Sequence, residues 1–137
     1  MTSQYFNTSL LNPDELYILK RKMENNSKLD EKTGCLLWER SSSSSGYPQM
    51  KLGKIFHNRF GGNPVNPAHI YFCITNNAIL NKQGFEISHL CHEKKCINST
   101  HLTYEPQYIN AAREICKRDN YCHSHRDQVQ VYVQCLF

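Results

Sequence analysis

The stretch SHLCHEKKCINSTHL, Ser88 to Leu102, gathers three histidines and two cysteines around a pair of lysines. Cys91, Cys96 and His101 keep a C-x4-C-x4-H rhythm. That rhythm places two soft thiolates and an imidazole on one loop, the donor set that tetrahedral zinc favours. A closed structural site needs a fourth ligand. His89 and His92 are candidates within the stretch, and Cys35 in TGCLLW is a third. A distant cysteine beside a strand would pin the loop to the fold more firmly than a neighbour could. Further on, Cys116, Cys122 and His125 repeat the theme in C-x5-C-x2-H spacing, with His123 or Cys135 to complete it. Cys135 is preferred, because thiolate-rich sites are common for structural zinc and a late ligand ties down a segment that would otherwise fray. Cys73, set among apolar residues, is left as an ordinary buried thiol.

Composition explains why metal would be needed. The 137 residues are only 39% hydrophobic and 20% charged, with seven cysteines and seven histidines. Such a chain is short of core and calls for other cross-links. MTSQYFNTSLLNPDEL lacks the basic and apolar regions of a secretory signal, and no segment has the length to span a bilayer. An intracellular, reducing compartment is therefore expected, where cysteines hold metal rather than pair with one another; in a eukaryote this would be the nucleus. A net charge of +4 permits an anionic partner without naming one.

The chain reads as a single α+β domain of 1–137. Residues 1–30 carry a helix capped by Asn12, with Pro13 first and Leu16, Leu19 and Met23 on one face. Residues 31–84 carry a small sheet and a helix. CLLWE and YPQMKL read as strands joined by the serine run Ser41–Ser45, and AHIYFCITN reads as a helix buried through Ile70, Phe72, Cys73 and Ile74. In 85–116, GFEISHL is a strand leading into the metal loop. Pro106 then opens a helix with Ile109, Ala112 and Cys116 on one face and Asn110, Arg113 and Glu114 toward another. Residues 117–137 form the second zinc-binding tail.

SHLCHEKKCINSTHLTYEPQYINAAREIC resembles the His-Cys box of homing endonucleases, a branch of the His-Me finger (ββα-metal, HNH-like) nucleases. The shared pattern is a Ser-His-Leu-Cys-His start, a second cysteine, His-Leu, an aromatic-glutamate pair, then asparagine, arginine and cysteine. TGCLLWERSSSSSGYPQMKL and PAHIYF are similar to the strands and helix upstream of that box. The resemblance implies a ββα-metal core over 85–116 beside an antiparallel DNA-binding sheet. It also implies one zinc on Cys35, Cys91, Cys96 and His101 and another on Cys116, Cys122, His125 and Cys135. His89 would then be the general base, and Asn110, on the following helix, the anchor of a catalytic Mg²⁺. The partner implied is double-stranded DNA. Gln49 and Lys51 would face the major groove while Lys54, His57 and Arg59 contact phosphates. The family's upstream arginine corresponds to Tyr47, so Arg59 or Arg113 is expected to take its place. Relatives are two-fold homodimers, built through a tail longer than the Leu136–Phe137 segment beyond Cys135 here. The competing readings are a non-cleaving zinc-stabilised DNA-binding module and a protein-binding zinc scaffold.

Overall fold

The first helix, α1 (Pro13–Asn25), begins with a reciprocal cap: the Asn12 side-chain oxygen accepts from the Glu15 N–H at 2.8 Å, and a Glu15 carboxylate oxygen accepts from the Asn12 N–H at 3.0 Å. Two donors that a helix start leaves orphaned are thereby satisfied, and Pro13 sacrifices no hydrogen bond in the first turn. The computed structural model describes residues 6–53 and 64–137, and in it α1 buries Leu19 and Met23. Lys54, His57 and Arg59 lie outside the described residues.

β1 (Ser27–Leu29) follows α1 and pairs antiparallel with β2 (Leu36–Trp38), Ser27 opposite Trp38. The second helix, α2 (Pro67–Asn76), is capped by the Asn66 side chain on the Ala68 N–H at 2.9 Å. It stops at Asn77, which takes a left-handed φ of 49°. Its buried side is Ala68, Ile70, Tyr71 and Cys73, with Phe72 and Ile74 half-buried. β3 (Phe85–His89) and β4 (Leu102–Pro106) then pair antiparallel from Phe85 opposite Pro106 to His89 opposite Leu102. They lead directly into α3 (Gln107–Asp119). A short hairpin of β5 (His125–Arg126) and β6 (Val131–Tyr132) completes the described elements.

Period-two alternation along β3 and β4 sorts their side chains onto two faces. Ile87, Leu102 and Tyr104 join the core formed with Leu19, Met23, Trp38 and Ile70. Glu86 and Glu105, opposite one another, instead reach α3. The sheet thus gives one face to the hydrophobic core and the other to a polar helix.

Three expectations need correction. YPQMKL forms only isolated bridges, Ser42 with Pro48 and Met50 with Val65; Pro48 has no N–H to extend a ladder. The alternation survives even so, with Pro48, Met50 and Leu52 buried, Tyr47 and Lys51 exposed and Gln49 half-buried. Strand β4 was not among the expected elements. Pro106, expected to open the helix, ends β4 and caps α3 from outside it. Last, Arg113 is not on the polar face of α3: Ile109, Arg113 and Cys116 form its buried side.

Candidate metal centres and the cleft beside them

Gly34 shows how tightly the first cluster is assembled. Its φ of +76° favours glycine, and a Cβ there would stand 3.4 Å from His101 Nε2. Asn98 donates from Nδ2 to the Gly34 carbonyl at 2.7 Å, holding the metal loop against the turn that carries Cys35. The loop is also stitched to β2, with Ile97 N–H donating to Leu36 O at 2.7 Å and Trp38 N–H to Lys95 O at 2.9 Å. The result is a set of four donors, Cys35, Cys91, Cys96 and His101, whose ligand atoms all lie within 4.8 Å of one another.

The spacing fits zinc. Zn–S of about 2.3 Å and Zn–N of about 2.0 Å at tetrahedral angles place a sulfur and a nitrogen about 3.5 Å apart. His101 Nδ1 lies 3.6 Å from Cys35 Sγ and 3.5 Å from Cys96 Sγ. Cys91 gives up its proton most easily, drawn down to about 5 chiefly by the hydrogen bond from Cys96, which is itself pushed up. Two soft sulfurs beside that thiolate and an imidazole make a donor set suited to zinc.

The second cluster joins Cys116, at the buried side of α3, to Cys122, His125 and Cys135, again within 4.8 Å. His125 Nε2 is 3.3 Å from Cys116 Sγ and 3.6 Å from Cys135 Sγ. Three N–H donors face its sulfurs: His123 N to Cys116, Cys135 N to Cys122, and Arg113 Nη1 to Cys135, each at 3.3 Å. Such donors stabilise thiolates and orient them. His123 instead bonds Asp119 at 2.8 Å. All seven cysteines are free thiols, and Cys73, pushed up to about 12 by burial, stands apart from both clusters. Two Cys₃His sets therefore fit two structural zinc ions.

His89 and Asn110 are in neither set. They line one small cleft of about 50 Å³ together with Tyr47, Lys94, Glu114 and Lys117. His89 closes β3, and its Nε2 lies 3.0 Å from the Cys96 carbonyl oxygen. A carbonyl only accepts, so Nε2 carries the proton and Nδ1 is left able to receive one. Burial holds the imidazole below its usual value, which keeps it neutral near pH 7. His69 on α2, pushed down to about 4 by burial and then by His89 itself, is a neutral neighbour. Asn110 donates from Nδ2 to a Glu86 carboxylate oxygen, which fixes the amide and turns its own oxygen away from that contact.

Arg113, expected at DNA, is instead only 2% exposed. Its Nε and Nη2 grip Glu105 at 2.6 and 2.8 Å, and Nη2 also reaches Val133 O at 2.9 Å. With Nη1 on Cys135 Sγ as well, four of its five N–H donors are taken inside the protein, although the residue also lines the cleft. Lys94, by contrast, stands in the cleft with Nζ 4.9 Å from the centre of the Tyr47 ring and 3.1 Å from Ser45 O. Sequence alone marks it only as a loop charge. Its signal is tertiary, since the partner lies 47 positions earlier. Among the described residues no helix is long and apolar enough to cross a membrane.

Searches of characterised proteins and of solved structures give no match. A family model described as the zinc-binding loop region of homing endonuclease matches residues 34–136, a span that begins at Gly34 and takes in both Cys₃His clusters, His89 and Asn110. On that match over most of its length, the chain belongs to the zinc-binding loop family of homing endonucleases.

Proposed function

We propose that the chain is a Mg²⁺-dependent endonuclease of double-stranded DNA, with a ββα-metal core made of β3, β4 and α3. The observation that carries this reading is the shared cleft: His89 and Asn110, 21 positions apart, line one depression outside both zinc clusters, each held by a hydrogen bond that fixes which atom faces away.

His89 Nδ1 accepts a proton from the attacking water, and the resulting imidazolium is stabilised through Nε2 by the Cys96 carbonyl. Water oxygen bonds to phosphorus as the bond to the 3′ oxygen breaks and that oxygen takes a proton from solvent, leaving 5′-phosphate and 3′-hydroxyl ends. Asn110 Oδ1, with the Glu86 carboxylate beside it, is a hard oxygen donor of the kind Mg²⁺ takes when phosphate and water complete its shell. A Mg²⁺ held by Asn110 would supply positive charge that stabilises the phosphate under attack. Lys94, stacked on Tyr47, adds a fixed cation in place of the arginine that the family pattern leads one to expect. The thiolates of the two clusters require a reducing compartment.

The test is nicking of supercoiled plasmid in Mg²⁺. His89→Ala should lower the rate by ~10² to 10⁴ with DNA binding retained. Asn110→Ala should lower it and weaken its dependence on Mg²⁺. Wild-type protein that binds DNA and nicks no substrate would end the nuclease reading in favour of a binding module.

A further inference from the structure

The hairpin that brings Tyr47 to the cleft opens at its base onto a second concavity of about 380 Å³. Lys22 from the last turn of α1, Arg40 from just beyond β2 and Lys51 converge on it, with Trp38, Asn26 and Gln49 between them. Among the described residues that line it there is no carboxylate. Glu39 precedes Arg40 without lining the pocket, and Glu24 is taken by Lys20, Arg21 and the Tyr71 hydroxyl.

The frame of this pocket is fixed while its charges stay available. Lys22 Nζ donates to Lys51 O at 2.9 Å, Arg40 Nε to Asn26 Oδ1 at 2.6 Å, and Trp38 Nε1 to Ser41 O at 3.0 Å. No hydrogen bond or ion pair among the described residues takes Lys51 Nζ or the two terminal nitrogens of Arg40. Three cations gathered in a concave site attract an anion more strongly than the same charges spread over a surface. Trp38, Met50 and Pro64 add apolar wall against which a sugar or base can rest.

Resting on the nuclease reading, we infer that this pocket holds a backbone phosphate of the DNA strand being cut, a few nucleotides from the scissile one. The hairpin sets the spacing. Ser43 pairs with Tyr47 at the cleft, and Ser41 pairs with Gln49 at the pocket. Two residues of extended chain cover about 7 Å, an advance along the helix axis that a DNA strand makes in about two nucleotides at about 3.4 Å of rise each. A strand with one phosphate at His89 therefore carries another over Lys22, Arg40 and Lys51.

The experiment is titration of a mixed-sequence duplex with the zinc-loaded full chain, Mg²⁺ omitted, across a range of KCl concentrations. Loss of one phosphate contact lowers the slope of log Kobs against log salt by about 0.9. Lys22→Gln/Arg40→Gln should lower that slope by about 0.9 with zinc content unchanged. Lys28→Gln/Arg118→Gln, which removes the same charge from exposed positions elsewhere, should leave it as in the wild type. Equal slopes for wild type and Lys22→Gln/Arg40→Gln, or equal losses in both double variants, would overturn the pocket alone. A wild type with no salt-dependent affinity for duplex DNA would overturn the nuclease reading and this inference together.

Discussion

The two Cys₃His clusters share a donor set but not a setting. The first sits against the hydrophobic core, with Ile97 and Leu102 from its own loop belonging to that core and Trp38 beside them. The second has no such backing. The contiguous core runs from Phe6 to Leu102 and includes nothing from α3 or the tail, where Tyr121, Val129, Val131 and Val133 are all more than half exposed. What the second region has instead is the Arg113–Glu105 pair, with Arg113 also bonded to the Cys135 sulfur and the Val133 carbonyl. A metal in the first set would thus fasten a loop to an existing core. One in the second, with one buried ion pair, would serve as the core of its own region.

The contrast can be broken most directly at His125. Structural zinc contributes ~10 kcal/mol or more to the region it organises. His125→Ala should lower the zinc content by one and abolish amide-exchange protection over 117–137, while α1, α2 and the β1–β2 pair stay protected. Global unfolding of this variant would mean that the two regions are one cooperative unit. A smaller effect is expected at Arg113. Arg113→Met leaves the Glu105 carboxylate buried without its partner, which costs about 3 to 5 kcal/mol. Glu105→Gln added to it should recover part of that loss in denaturant melts, since the stranded charge is the larger share of the damage. An Arg113→Met chain as stable as the wild type would show that the tail is held by metal alone.

The difference between the regions also decided what could be read from sequence. Asn12, Pro13 and Glu15 announce α1 because capping is local, and the Cys and His spacing announces both clusters because ligands on one loop must be close in the chain. Arg113 escaped because its burial depends on Glu105, a residue on another element, and an arginine with no visible partner is assigned to solvent. β4 escaped because Pro106 is as good a helix opener as a strand terminator, and only pairing with Phe85 decides between them. Gly34 carried a signal, a glycine just before a ligand cysteine, but its reason is the His101 ring 67 positions away. Lys94 is of the same kind. Local chemistry was legible; contacts made across the fold were not.

The central claim is that His89 stands outside the zinc sites while His101 stands inside one, and metal analysis of two variants tests it. His89→Ala should keep about two zinc ions per chain and the wild-type far-UV spectrum, as for a residue that holds no structural metal. His101→Ala, in which Cys35, Cys91 and Cys96 lose their fourth partner, should lose zinc from the first cluster and with it the fold of the loop and of the core around it. A His89→Ala chain that loses zinc beside a His101→Ala chain that keeps both ions and stays folded would contradict the account.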